Sequence, residues 1–443
     1  MVNSASELKK VLTDLIHDLT FSSSHYVKNP GKDFTRERKL SFEKVITFIL
    51  CMGRGNLTNE LMNHFGCTPD LATTSAFVQQ RKKLLPIALE TLFHAFVKKT
   101  DSAILYDGYR LLAVDGSALQ IPTDKNDTES FYPGASNQKA YNLLHINAMY
   151  DLLRHVYTDA ILQKGRVRDE DQALIDMVDR ATNHPAILLA DRGYESYNVF
   201  AHTQEKGWHY LIRIKDHEAN VGITQGLNLP NQDEYDVPVH LLVTRSQTKE
   251  AKKLATDRNH YKIFYNSQKL DFLPPQITES NSLKFYPFSF RIVRFKLSDS
   301  TYETVITNLD KNSFPPKKLK QLYAMRWGIE TSFRHLKHTV GLLHFHAKKA
   351  ELIYQEIFSR LIVYNFAKLI VSFVNIRQNN QKYVYKVNFS VAVHICRRFL
   401  SINTVPPGLE SLIAKFISPI RPGRSAPRIQ KAKSFMSFSY RMS

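Results

Sequence analysis

From Arg110 to Ile214 the chain reads as three strands, a helix, a strand, a helix and a strand, an order that predicts a mixed α/β sheet covered by helices. Two further observations frame it. Residues 5–100 carry helical periodicity throughout, and residues 219–309 are strand-like and turn-rich, which marks a β-rich insertion before a second set of helices. At 443 residues the chain can bury a sizeable core in two or three domains. The expected order is a helical N-terminal region over 1–104, then the first part of the core over 105–218 and the insertion over 219–309. A core helix region follows over 310–350, and a basic helical C-terminal region with its tail over 351–443.

Each element has a local reason. Leu8, Val11, Leu12, Leu15 and Ile16 recur at helical spacing, and Phe42, Val45, Ile46, Phe48 and Ile49 repeat the pattern after Ser41, a plausible cap. Leu57–Phe65, a turn at Gly66-Cys67 and a start at Thr68-Pro69 resemble a helix-turn-helix, because proline suits the first helical position. The next stretch, Ser75–Leu85, displays Gln79, Gln80, Arg81, Lys82 and Lys83, side chains able to read DNA, although a plain helical bundle fits the same pattern. Leu111–Gln120 reads as a strand containing Asp115, and Leu143–Tyr150 and Arg154–Leu162 are two more around a turn at Asp151. Asp169–Thr182 is an amphipathic helix, and Ala186–Ala190 is a short buried strand running into Asp191. Ser196–Lys206 then reads as a helix and Trp208–Ile214 as a strand. Val237–Val243, Tyr261–Tyr265, Phe288–Leu297 and Glu303–Thr307 are the strands of the insertion, and helices resume over Phe314–Lys337. The most apolar run, Leu361–Ile376, is short and interrupted by Lys368, so it reads as a buried helix and not a membrane span.

Charge narrows the partners. The chain carries 60 Lys+Arg against 41 Asp+Glu, a net charge of +19. From Ile357 to Ser443 there are 14 Lys/Arg and one acid, Glu410, whereas residues 1–356 are nearly balanced at +6. Basic side chains interleaved with Phe366, Phe373, Tyr383, Tyr385, Phe389 and Phe399 read as a footprint for a phosphate backbone. The last basic stretch, R-P-G-R-S-A-P-R-I-Q-K-A-K, reads as a mobile tail. Cys51, Cys67 and Cys396 are odd in number and contain no C-x-x-C pair, which indicates neither a disulfide framework nor a zinc knuckle. A reducing, cytoplasmic location fits, and the N-terminus lacks an apolar signal core.

Three acids stand out. Asp115 lies inside an apolar strand, where an unpartnered carboxylate costs roughly several kcal/mol, so it needs a cation, a metal or local backbone donors near Gly116. Asp191 ends a strand and is followed by Arg192-Gly193-Tyr194; ligands bind at such carboxyl ends in open sheets, and the alternative, a helix cap, is weakened because Gly193 follows so soon. Glu330 sits in Y-A-M-R-W-G-I-E-T-S-F-R-H-L-K. A regular helix places Tyr323, Arg326, Glu330 and Lys337 at about 0°, 300°, 340° and 320°, within a wedge of about 60°. Leu322, Met325, Ile329, Phe333, Leu336 and Val340 form the neighbouring apolar face. A carboxylate flanked by cations and a phenol suits metal binding beside a phosphodiester, and an ordinary solvated helix face has the same composition. Three carboxylates can hold two Mg²⁺ ions about 4 Å apart, and hard oxygen ligands without a Cys/His cluster favour Mg²⁺ or Mn²⁺ over zinc. His344 and His346 lack further ligands and read as structural or DNA-contacting.

V-D-G-S around Asp115, D-R-G-Y at Asp191 and the spacing Y-x2-R-x3-E-x6-K from Tyr323 to Lys337 resemble the DDE transposases of the bacterial insertion-sequence 4 family. The 139-residue interval between Asp191 and Glu330 leaves room for the insertion these enzymes place before their last acid. The resemblance spans residues 105–350 with specific motifs and the flanks in general character. It implies a ribonuclease-H-like core and cut-and-paste transposition, with strand cleavage at inverted-repeat ends and transfer of the freed 3′-OH into target DNA. It further implies Asp115, Asp191 and Glu330 as catalytic and Mg²⁺-binding residues, Tyr323, Arg326 and Lys337 as DNA contacts, and a homodimer on paired ends. Better-known members pass through a hairpin, and some stack a flipped base on a tryptophan of the insertion. Here Trp208 and Trp327 both lie outside the insertion, leaving Tyr286, Phe288 or Phe290 as substitutes. Another metal-dependent endonuclease on the same core, or a catalytically silent DNA-binding repressor, are the competing readings.

Overall fold

The computed structural model describes residues 2–134, 139–215, 222–265, 267–274, 284–298, 301–376, 383–402 and 408–420. Five helices form the N-terminal region: α1 (Ala5–Phe21), α2 (Phe42–Cys51), α3 (Leu57–Phe65), α4 (Thr74–Arg81) and α5 (Ile87–Lys99). Their starts follow capping chemistry: Ser4, Ser41, Asn56 and Thr73 each accept a first-turn N–H on a side-chain oxygen. Gly66, at φ 93°, ends α3. No helix starts at Thr68-Pro69, which form a turn closed by Leu71 N–H to Thr68 O at 3.1 Å. The Thr73 cap moves that start to Thr74, so the helix-turn-helix register expected from Pro69 is not formed. Nor does α4 offer all its polar residues to solvent. Arg81 is 3% exposed and ion-pairs with Glu356 at 3.0 Å, so its spacing among polar neighbours was a misleading sign of DNA contact.

The next elements are β1 (Arg110–Ile121), β2 (Phe131–Tyr132), β3 (Tyr141–Asp151), β4 (Val156–Lys164), α6 (Glu170–Arg180), β5 (Ala186–Ala190), α7 (Tyr197–Glu205) and β6 (His209–Arg213). The order β4-β3-β1-β5-β6 has β1, β5 and β6 parallel and β3 antiparallel to both β1 and β4. That is the mixed sheet of a ribonuclease-H-like core. The two crossovers through α6 and α7 account for the parallel strands, since parallel neighbours need a long connection.

The described strands of the insertion do not build a separate sheet. The strands β7 (Tyr235–Thr244), β8 (Tyr261–Ile263), β9 (Tyr286–Ser298) and β10 (Thr301–Thr307) continue the same sheet, in the order β6-β10-β9-β7-β8. The short helix α8 (Lys249–Leu254) lies among them. Tyr286, Phe288 and Phe290 are 7%, 1% and 3% exposed within the core on one sheet face. This corrects their assignment as substitutes for a base-stacking tryptophan: strand alternation turns all three inward.

Two cores flank the sheet. Leu112, Val114, Leu188 and Ala190 join α6 and α7 in one, whereas Leu111, Ala113, Ile187 and Leu189 join the later helices in the other. Those helices are α9 (Pro316–Met325), α10 (Trp327–Arg334), α11 (Ala350–Ser372), α12 (Phe389–Ser401) and α13 (Leu409–Ala414). Helix α11 is buried along most of its length, packing against α2, α5, α12 and β4. It extends farther toward the N-terminus than the apolar run alone predicts, because Gln355, Glu356, Ser359 and Arg360 are buried with partners. A two-stranded ribbon, β11 (Val384–Val387) with β12 (Ile417–Ile420), interrupts the otherwise helical C-terminal region. Phe366, Phe389 and Phe399 belong to the core, so they are not an aromatic face for nucleic acid. The basic stretch from Arg421 lies outside the described residues. Cys51, Cys67 and Cys396 are free thiols. Among the described residues no helix is long and apolar enough to cross a membrane.

Candidate active site

Strand parity selects one sheet face for the acids. Pairing of β1 with β5 sets Ala113 opposite Leu189, so two residues on, Asp115 and Asp191 come abreast at the carboxyl end of β5. Both share the parity of Leu111, Ala113, Ile187 and Leu189, the face covered by the later helices. The first turn past β5 is shaped by Asp191 itself, whose Oδ1 accepts the Gly193 N–H at 2.8 Å. Asp115 Oδ1 accepts the Gly116 N–H at 2.8 Å. A Cβ at Gly116 would run into His145 on β3, so this glycine lets a buried ring pack directly under the acid-bearing strand.

Glu330 reaches the same face from α10. Gly328 permits the approach: a Cβ there would lie 2.8 Å from Leu152 Cδ2, at the β3–β4 turn. Ser332 Oγ and Tyr157 OH, 2.8 Å apart, fasten the helix to β4. The region 323–337 is not one regular helix. It breaks between α9 and α10 at Arg326, and His335–Val340 is a π-helical turn closed by Gly341 at φ 96°. The four-residue stripe calculated for ideal geometry is therefore replaced by individual placements. Wider π turns at helix ends often mark functional sites.

Arg326, 5% exposed, donates from Nη2 to Glu330 Oε1 at 2.8 Å, and its guanidinium lies 5.4 Å from the Trp327 ring, itself 54% exposed. Tyr323 is buried, and its OH donates to Ala190 O at 3.3 Å, immediately before Asp191. Lys337 Nζ donates to Ser117 Oγ, two residues beyond Asp115. All six residues singled out from the sequence thus gather around the middle of β1 and the carboxyl end of β5.

The electrostatics agree with that gathering. Burial pushes the Asp115 carboxyl up to about 6; the Gly116 N–H opposes this, the charges of Asp191 and Glu330 add to it, and Arg326 moderates it. Burial lowers the Lys337 ammonium, and the Asp115 charge partly restores it. Burial raises the Tyr323 phenol. Neighbours not flagged by sequence include Glu170, whose carboxyl is raised by burial and by the Asp191 charge, and whose Oε1 lies 3.2 Å from His145 Nε2. Only the strand register, Ala118 opposite His145 and Gly116 opposite Asn147, brings this layer beneath Asp115.

The donor set suits a hard divalent ion. It offers carboxylate oxygens in a half-buried site, and Asp115 carries an unfavourable surplus of negative neighbours that a cation would relieve. Among the described residues no group of three or more His, Cys, Asp or Glu side chains is arranged to hold one ion together. Mg²⁺ binds through one or two carboxylates plus water and substrate phosphate, so pairwise sharing fits this arrangement. His346 is excluded from the site: it lies 3.2 Å from Glu60 and 3.6 Å from Glu356, in a buried structural cluster.

The chain is similar to the transposase InsG for insertion sequence element IS4 of Escherichia coli (strain K12), 23% identical over 367 residues, 78% of this chain and 73% of that protein. It is also similar to the transposase for insertion sequence element IS231B of Bacillus thuringiensis subsp. berliner, 22% identical over 354 residues, 74% of this chain and 72% of that one. A more distant likeness is to a piggyBac transposase synaptic complex with hairpin DNA, solved by cryo-EM, with a TM-score of 0.46 and 10% identity over 96% of this chain and 87% of that one. The transposase DDE domain matches residues 106–366, more than half of the chain, and the protein belongs to that family of DNA-transposing enzymes.

Proposed function

We propose that this protein catalyses cut-and-paste transposition of an insertion sequence, cleaving DNA at inverted-repeat ends and joining the freed 3′-OH to target DNA. The observation that carries the reading is the convergence of Asp115, Asp191 and Glu330 on one sheet face, close enough for both other acids to raise the Asp115 carboxyl, with Arg326 and Lys337 beside them. In this reading Asp115, Asp191 and Glu330 hold the divalent ions, Mg²⁺ or Mn²⁺. When bound, these ions would acidify the attacking water or 3′-hydroxyl and stabilise the leaving oxygen.

The chain's own groups do the rest. Lys337 and Arg326 grip phosphates next to the cleaved bond, and Arg326 keeps the Glu330 carboxylate oriented until DNA arrives. Tyr323 anchors the start of the acid-bearing turn through Ala190. The partner is double-stranded DNA, as element ends and as target, and a homodimer on paired ends is the working assembly.

The test is direct. Purified protein, Mg²⁺ and DNA carrying the repeats that flank the gene should yield 3′-OH ends and then joined products. Asp115→Ala, Asp191→Ala and Glu330→Ala should each abolish cleavage with end binding largely intact. Cleavage without joining would instead identify a metal-dependent endonuclease, and binding without cleavage a repressor.

A further inference from the structure

A second cationic site lies beside the first. The π turn that carries Lys337 continues into His338 and Thr339, which line a cleft of about 510 Å³ between the α2–α3 connection, α3 and α12. Arg54, His64, His338, His394, Arg397 and Arg398 surround it, and Glu60 is the one acid among the cleft's lining residues. That acid is already committed, accepting the Gly53 N–H at 3.0 Å and lying 3.2 Å from His346 Nε2. Among the lining residues three arginines, Arg54, Arg397 and Arg398, face one carboxylate, Glu60, whose charge acts on Arg397, so the cleft keeps an excess of positive charge.

Two buried nitrogens of the cleft have no partner within the chain. Arg397 Nε and His64 Nδ1 are both shielded from solvent and have no hydrogen-bond partner, although Arg397 Nη2 donates to Val340 O at 2.6 Å. Buried polar nitrogens are ordinarily satisfied, and an anion in this polar cleft would offer these two an acceptor. Arg398 Nη1 donates to Asn63 O at 3.0 Å, while its side chain stays exposed at the mouth. Burial, with the charges of Arg360 and Arg54, pushes the Arg397 guanidinium down to about 9; burial and the Arg398 charge push His64 down to about 4. An anion in the cleft would relieve both.

Its position indicates which anion. Arg54 packs where a Cβ of Gly341 would fall, at 3.2 Å from Cγ, so the cleft floor and the end of the Lys337 turn are one surface. We infer that the cleft between α3, the π turn and α12 binds a backbone phosphate of the DNA strand that runs from the catalytic carboxylates past Lys337. The site takes a phosphodiester and reads no base, since its donors are charged forks and rings without a groove-shaped approach. This inference rests on the transposition reading for its ligand, not for its geometry.

The experiment uses the full chain, a fluorescently labelled short duplex and no divalent ion, so binding is read apart from cleavage. Anisotropy titrations over a series of salt concentrations compare wild type, the exposed pair Arg54→Gln/Arg398→Gln, and a charge-matched control, Lys98→Gln/Lys99→Gln at the end of α5. Melting curves confirm that each variant is folded. The cleft variant should bind about tenfold more weakly at moderate salt, with the log–log salt slope flattened by about one to two, and the control should stay near wild type. A duplex with one methylphosphonate placed at successive positions should then weaken wild type at one position and leave the cleft variant unaffected there, because both changes remove the same contact. A wild-type slope in the cleft variant, or equal flattening in the control, overturns the inference while leaving the cleavage test untouched. Conversely, a protein that binds through the cleft yet never cuts would sink the transposition reading alone.

Discussion

Gly116→Ala tests how the acidic site is built. Gly116 follows Asp115 and gives its N–H to that carboxylate at 2.8 Å. A methyl group here would collide with His145 Nε2, with His145 Cε1 at 3.1 Å and Asn147 Oδ1 at 3.3 Å. Neither neighbour has room to retreat. His145 and Asn147 are 4% and 0% exposed, and Asn147 Nδ2 donates to Gln163 Oε1 at 3.1 Å. Forcing one extra carbon into such packing costs about 1–3 kcal/mol. The strand must shift to accept it, and Asp115 moves with the strand. A displacement of about 1 Å at a reacting group lowers rates about 10²-fold, so Mg²⁺-dependent cleavage under single-turnover conditions should fall by that order. The melting temperature should drop with it. His145→Ala removes the obstacle, so the double variant should be no worse than His145→Ala alone. The reasoning is refuted by a Gly116→Ala protein that melts and cuts like wild type, or by losses that simply add in the double variant.

Three other outcomes are expected. Arg81→Met should destabilise the fold by about 3–5 kcal/mol, measured by denaturant unfolding, because it removes the ion-pair partner at 3.0 Å of a Glu356 carboxylate with 0% side-chain exposure. Burial alone would raise the Glu356 carboxyl, but Arg81, then His346 and Arg360, hold it far below the usual 4.5. Its stabilisation is thus present above pH 4.5 and lost as pH falls toward the depressed value, and Arg81→Met should move acid unfolding to higher pH. An unchanged acid midpoint would remove the pair from the stability of the fold. Lys337→Ala should weaken end complexes and flatten their salt slope by about one, and an unaltered slope would count against a phosphate contact. Phe288→Ala should cost about 3–5 kcal/mol by thermal unfolding and leave the ratio of hairpin to nicked ends unchanged; selective loss of hairpins at wild-type stability would return the ring to the DNA.

The sequence by itself determined the order of elements in the core, because alternation, capping residues and helical periodicity are local. Ala186–Ala190 forms as read, and the helix read over Asp169–Thr182 forms as Glu170–Arg180, with Asp169 as its cap. It also determined the chemistry on offer: two aspartates in strands, a glutamate in a helix and flanking cations, six residues that the fold gathers at one place. What it could not decide depends on contacts between distant segments. Arg81 reads like its exposed neighbours Gln79 and Lys82 until α11 supplies Glu356 at 3.0 Å. Tyr286, Phe288 and Phe290 read as available aromatics until the insertion joins the main sheet and buries them. The break at Arg326 and the π turn after Arg334 answer to packing against Leu152, Tyr157 and Ser117. Backbone propensity acts over a few residues, whereas burial and pairing act between segments hundreds of residues apart, so only the tertiary structure could tell a buried partner from a free ligand.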